Sequence, residues 1–195
     1  MTSAAQPAGS PKNVVLFSGH MIDARDRKTP RFPPEKEPVA ATAIADTLAE
    51  IGVTESDLAI CGGACGGDLL FAETCLARGM ALELYIPFDE PTFLANSVDF
   101  ADAHWHDRYL AAKSRATLHV MPDELGPLQE GDNAYERNNR WMLDAADRFG
   151  GDRMAFISLW NGQGSDGPGG AQHLLEEARR KTARIYWLDT RKLWD

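Results

Sequence analysis

The stretch that decides the fold is residues 57–76, DLAICGGACGGDLLFAETCL, which passes from an apolar run through a glycine-rich bend into a helical pattern. Leu58, Ala59 and Ile60 have the character of a short buried strand, and residues 69–77 keep apolar side chains at helical spacing. Between them, the glycines of Cys61-Gly62-Gly63-Ala64-Cys65-Gly66-Gly67-Asp68 allow the backbone to turn closely. A helix that begins at such a bend points its N–H groups and the positive end of its dipole at whatever fills the bend. An anion such as phosphate is the best match. Gly62, Gly63, Gly66, Gly67 and Asp68 are therefore candidate ligand-binding residues, although the same glycines also suit a turn that needs only close packing. Asp68 fits either use, because a carboxylate in a first helical turn caps N–H groups.

Outward from this stretch the chain repeats the same alternation. Residues 13–18, Asn-Val-Val-Leu-Phe-Ser, form a fully buried first strand that ends in a second glycine turn, Gly19-His20. A basic, proline-punctuated segment follows, with Arg25, Arg27, Lys28 and Arg31, and it is long for a strand-to-helix connection. It serves either as a flap over an anionic ligand or as a solvated charged loop. A helix is expected over residues 38–51, with Ile44 and Leu48 inward and Gly52 as its stop.

Beyond the central stretch, strands are expected over residues 81–88, 117–121, 154–160 and 184–188. One or two helices occupy residues 91–116, with Phe93, Val98, Trp105 and Tyr109 buried. After a loop over residues 122–132, a helix over 133–149 turns Tyr135, Met142, Ala146 and Phe149 inward. It carries Glu136-Arg137-Asn138-Asn139-Arg140, a run rich in phosphate and hydroxyl donors that also suits an exposed helix start. A third glycine loop, residues 161–170, opens the helix over 171–183.

Six strands alternating with helices give an α/β fold: a single doubly wound, mostly parallel Rossmann-like sheet with helices on both faces. It spans residues 13–195, behind a loose tail of residues 1–12. Ligands of such sheets sit beyond the C-terminal strand ends, where all three glycine loops fall. Gly19, His20 and Arg25 join the candidate ligand-binding set on that ground. Neither a clean G-x-G-x-x-G fingerprint nor a G-x-x-x-x-G-K-[ST] loop is present, which disfavours hydride transfer and ATP hydrolysis and calls for no cofactor.

Composition narrows the partners. A formal net charge of -9 and a pI near 5.0 argue against general affinity for nucleic acid or anionic membranes. No apolar run reaches the ~18 residues of a membrane-spanning helix, and residues 1–12 lack the apolar core of a signal peptide, so a cytoplasmic protein is expected. Three cysteines, Cys61, Cys65 and Cys75, are poor material for a disulfide framework. Cys61 and Cys65 lack a second ligand pair, so no metal is expected. His104 and His106 point to different sides of a helix, as surface histidines do.

The order of these motifs resembles the LONELY GUY or "lysine decarboxylase-like" family, within the wider Rossmann-like group that includes the DprA-type domains. The resemblance runs from residue 13 to residue 190. It implies hydrolysis of the N-glycosidic bond of nucleoside 5′-monophosphates, with a phosphorylated ligand, a nucleotide, as the partner. Arg137 falls at the arginine of the family's M-x-x-R-K motif, and Pro168, Gly169, Gly170 and Glu176 fall within P-G-G-x-G-T-x-x-E. The implied catalytic pair is Arg137 and Glu176, a carboxylate that stabilises an oxocarbenium-like state beside an arginine that orients sugar or phosphate.

Gly167, Gly169, Gly170, Gln172, His173 and Asn138 complete the implied ligand-binding set. This chain departs from the pattern at Gln172-His173, where the family has Gly-Thr, and at Ala134 and Asn138, where it has Met and Lys. A non-catalytic nucleotide sensor is the alternative reading. The resemblance also implies pairing as a homodimer.

Overall fold

Apolar runs form the strands: the central ones are largely buried on both faces, as a parallel sheet between two helix layers requires, and the two edge ones, residues 117–120 and 185–189, are partly exposed. In chain order they are β1 (Val14–Gly19), β2 (Leu58–Cys61), β3 (Ala81–Ile86), β4 (Thr117–Val120), β5 (Met154–Trp160) and β6 (Ile185–Asp189). The structure, a computed structural model, describes residues 10–163, 171–182 and 184–194, leaving the side chains of Ala171 and His173 aside. The six strands make one sheet in the order β4-β3-β2-β1-β5-β6, with every pairing parallel. The chain reverses its direction of travel across the sheet between β1 and β5. That switch point leaves a crevice at the C-terminal strand ends.

The helices are α1 (Glu37–Ile51), α2 (Gly67–Ala77), α3 (Glu90–Ser97), α4 (Ala103–Lys113), α5 (Met121–Leu125), α6 (Ala134–Asp147), α7 (Ala171–Lys181) and α8 (Thr190–Leu193). One face of the sheet packs Ile44 and Leu48 of α1, Phe71 of α2 and Tyr109 of α4 into a continuous core. The other packs Met142 and Ala146 of α6 with Leu174 and Ala178 of α7. Helix α2 is apolar on nearly every side, and Phe71 stacks on Phe17 of β1 with ring centroids 4.8 Å apart. The helix is held from all round, so its N-terminal bend is a fixed feature.

Asp57 secures the opposite, N-terminal end of the sheet. Its carboxylate accepts from the backbone N–H of Asn13 at 2.7 Å, from Asn13 Nδ2 at 3.1 Å and from the N–H of Thr54 at 2.8 Å. Burial works to raise this carboxyl, but the bonds from Asn13 and Thr54 outweigh it and hold it below the usual range.

Two sequence expectations need correction. Met121 opens the short helix α5 and does not close the fourth strand, because Pro122 and the acidic pair Asp123 and Glu124 suit a first helical turn. Tyr135 is 42% exposed, not inward. The buried face of α6 runs through Ala134, Asn138, Met142 and Ala145, one residue out of phase with the tyrosine.

Candidate functional site

The crevice predicted by the switch point is present as a cleft of about 650 Å³. Its walls come from the ends of β1, β2, β3 and β5, from α3, and from the start of α6. Phe93, Phe100, Tyr135 and Trp160 supply aromatic surface, and Asn96, Asn133, Asn138 and Asn139 supply amides. Arg27 and Arg31, together with Asp23, bring the basic segment to the same cleft. Asp68 lies among these groups.

Local chemistry explains each placement. Asp23 Oδ2 accepts from the N–H groups of Arg31 and Phe32, at 2.8 and 2.9 Å, and closes the basic segment into a ring. Its Oδ1 lies 3.2 Å from Arg27 Nε. Trp194 stacks on Phe32 and donates its indole N–H to Arg31 O, so the C-terminal end of the chain braces this loop. Asn133 caps α6 by accepting from the Glu136 N–H, which sets the first turn of that helix at the cleft wall.

The glycine-rich bend is organised by its own carboxylate. Asp68 Oδ2 accepts from the Ala64 N–H at 3.3 Å, and the N–H groups of Gly19 and Gly62 bond the same carboxyl. Burial pushes this carboxyl up to about 7, against the pull of those three N–H groups toward the charged form. A Cβ on Gly62 would stand 2.9 Å from Asp68 Oδ2, so the absence of a side chain there makes room for the carboxylate. Burial also pushes up the thiols of Cys61, Cys65 and Cys75. Among the described residues no group of three His, Cys, Asp or Glu is placed to hold a metal ion.

The remaining sequence candidates divide by position. Gly19 and His20 line the cleft, and His20 Nε2 accepts from the Asn161 N–H at 3.2 Å, which puts the ring proton on Nδ1. Gly63 is packed under Leu84 and Tyr109. Gly66 and Gly67 lie against the backbone of the β1 exit, where the Gly67 N–H donates to His20 O at 3.0 Å. The unpaired helix N–H that sequence leads one to expect at Gly67 is thus satisfied by the chain itself.

Arg25 is exposed and does not line the cleft. Arg137 is half-buried and donates to the carbonyls of Leu125, Gly126 and Pro127, clipping the end of α5 to α6. Glu176 is exposed on α7 and accepts from Gln172 Nε2 at 3.1 Å. Neither Arg137 nor Glu176 is among the residues lining the cleft. Gly167, Gly169, Gly170 and the side chain of His173 lie outside the described residues.

Asn138, a sequence candidate, lines the cleft and donates Nδ2 to Tyr85 O at 2.9 Å. Ser97 was not among the candidates. Its signal was available, since Ser97 stands four residues after the buried Phe93 and therefore carries a hydroxyl on the apolar face of α3. The aromatic lining was missed for a different reason: Phe93 reads as a core side chain and Trp160 as the end of a strand, and only the assembled fold turns part of their surface to a cleft.

No family model and no curated protein matches the chain. Among solved structures it is similar to the protein TM1055, at 15% identity and a TM-score of 0.38, over 75% of this chain and 59% of that one. It is also similar to DNA processing protein A (DprA) from Streptococcus pneumoniae, at 11% identity and a TM-score of 0.41, over 94% of this chain and 61% of the other. A third is the Moco carrier protein from Chlamydomonas reinhardtii, at 11% identity and a TM-score of 0.35, over 94% and 98% of the two chains. The chain thus spans about three fifths of the length of the first two. At this level the likeness concerns the fold and says nothing of activity.

Proposed function

We propose that the protein binds a small phosphorylated ligand of the nucleotide class in the cleft at the β1/β5 switch point. The observation that carries this reading is the make-up of that cleft. Aromatic surface from Tyr135 and Trp160 suits a planar base, the four asparagines suit its polar edge and a sugar, and Arg27 and Arg31 suit a phosphate. We take the setting to be cytoplasmic, with no nucleic-acid or membrane partner, in keeping with the net charge of -9. No helix among the described residues is long and apolar enough to cross a membrane. Pairing as a homodimer is carried forward on the family resemblance alone.

The enzymatic form of the reading is hydrolysis of a nucleoside 5′-monophosphate at its N-glycosidic bond. Arg137 and Glu176 are the residues that the resemblance names for it. One titratable group at the cleft suits acid–base chemistry as well as binding. The Asp68 carboxyl, raised to about 7, is matched to donating or accepting a proton near neutral pH.

The test is to incubate the purified chain with the common nucleoside 5′-monophosphates, following thermal stabilisation and free-base release by chromatography. Stabilisation with release that is lost in Glu176→Gln supports the hydrolase with the implied pair. Release that survives Glu176→Gln but is lost in Asp68→Asn moves the acid–base role to Asp68. Stabilisation without release leaves a nucleotide-binding sensor, and the absence of both stabilisation and release rules out the ligand class.

A further inference from the structure

Arg31 reaches the cleft from a short stretch bounded by two prolines, Pro30-Arg31-Phe32-Pro33. A proline fixes its own φ and keeps the residue before it extended, so few backbone torsions remain free there. Asp23 fixes part of what remains. Its Oδ2 accepts from the N–H of Arg31 at 2.8 Å and of Phe32 at 2.9 Å, and its own N–H donates to Phe32 O at 2.9 Å. These ties are internal to the basic segment.

A further tie comes from a distant part of the chain. Trp194, which caps α8, donates Nε1 to Arg31 O at 3.1 Å across 163 residues of sequence, and its ring stacks on Phe32 with centroids 5.4 Å apart and planes 24° from parallel. Phe32 is fully buried, and Lys36 donates Nζ to Trp194 O, so the indole is itself held in place. The peptide group joining Arg31 to Phe32 is thereby gripped on both sides: Trp194 holds its C=O and Asp23 its N–H. With the N–H of Arg31 also on Asp23, both peptide planes beside the Arg31 Cα are set. They fix the direction in which its side chain leaves the backbone. Trp194 itself is not among the residues lining the cleft.

We propose that Trp194 is a positioning residue for the ligand's phosphate, acting through Arg31 by holding the arginine's backbone in the geometry that meets the anion. The inference rests on the nucleotide reading above and names a residue outside the cleft that sets how much of the affinity the phosphate supplies. An arginine on a loose loop must be ordered at the moment of binding, which reduces what its charge-assisted bonds contribute. Removing Trp194 leaves the bonds of Asp23 in place, so the segment keeps its closure and loses one side of its grip on the Arg31–Phe32 peptide. Tyr135 and Trp160, the walls suited to a base, belong to α6 and β5 and are untouched by that loss.

The experiment is calorimetric titration of the full chain with the common ribonucleoside 5′-monophosphates and with their parent nucleosides, which lack the phosphate. Wild type, Trp194→Ala, Trp194→Phe, Arg31→Ala and the variant carrying both alanines are compared, with circular dichroism to confirm folding. Wild type is expected to bind a nucleotide about tenfold or more tightly than its nucleoside. That ratio should fall about threefold or more in Trp194→Ala with nucleoside affinity unchanged, and less in Trp194→Phe, which keeps a ring on Phe32 and loses the N–H. In the Arg31→Ala background, Trp194→Ala should lower the ratio no further, because the tryptophan acts through that arginine. Should Trp194→Ala fold poorly, Trp194→Phe decides: a lower ratio supports the assignment and an unchanged one overturns it. An unchanged ratio in folded Trp194→Ala, a loss shared equally by nucleoside and nucleotide, or additive effects of the two alanines overturns it while the functional reading stands. A full ratio retained in Arg31→Ala does the same by putting the phosphate elsewhere in the cleft. Wild type that binds no nucleotide, or binds none more tightly than its nucleoside, overturns the phosphorylated ligand class and this inference together.

Discussion

Asp68 shows how one residue both shapes a site and strains it. Its carboxyl rises from 3.8 in the free side chain to about 7 in the fold, mainly through burial, so between those values the folded chain holds a proton that the unfolded chain has released. The stability this contributes is complete below about pH 4 and is lost as pH rises through about 7. Asp68→Asn should therefore be more stable than wild type at pH 8 and close to it at pH 4, with Tm gaining about 2–4 °C per kcal/mol recovered. Thermal melts of both proteins at the two pH values check this. A less stable variant at pH 8 would mean that the three N–H bonds outweigh the burial. The sequence placed Asp68 at the bend but not its role, because capping and ligand binding ask for the same residue at the same position.

Among the elements, the junction of α1, α2 and α4 depends on one arginine. Arg108 of α4 reaches Glu73 of α2 through Nε at 2.7 Å and Nη2 at 2.6 Å, meets Glu37 of α1 at 2.5 Å, and lies over the Trp105 ring at 4.0 Å. Arg108→Ala is expected to cost about 1–3 kcal/mol in urea denaturation, because it unpairs two carboxylates and uncovers an indole at once. Arg140→Ala, which removes an exposed pair with Glu136 at 3.2 Å, should cost no more than about 0.5 kcal/mol. Sequence periodicity located these helices and most of their buried faces. It did not pair Arg108 with Glu37 and Glu73, which stand 71 and 35 residues away along the chain. It also misread the phase of α6 at Tyr135, where an aromatic residue stands one position off the buried stripe.

At the scale of the whole molecule, stability against acid depends on the closed end of the sheet. Asp57 has a folded pKa below its free value of 3.8, so its contribution is present above about pH 4 and is lost as pH falls through that folded value. Asp57→Ala leaves the N–H groups of Asn13 and Thr54 without their acceptor beneath β1 and β2. It should cost about 2–4 kcal/mol at pH 7 and progressively less as pH falls through that folded value, as denaturant titrations over a series of acidic pH values would show.

By itself the sequence determined the alternation of apolar strands and amphipathic helices, the parallel sheet between two helix layers, and the glycine turns at its C-terminal edge. These follow from periodicity and backbone freedom, which are local properties of the chain. Only the tertiary structure decided the strand order that puts the switch point between β1 and β5, and with it which wall residues face one another across the cleft. It turned the N–H groups of the glycine bend onto Asp68 and His20, spent Arg137 on the carbonyls at the end of α5, and left Ser97 and Asn138 with unused oxygens. Which acceptor a donor finds depends on groups brought together from distant parts of the chain, and the spacing of residues within any one segment carries no record of that meeting.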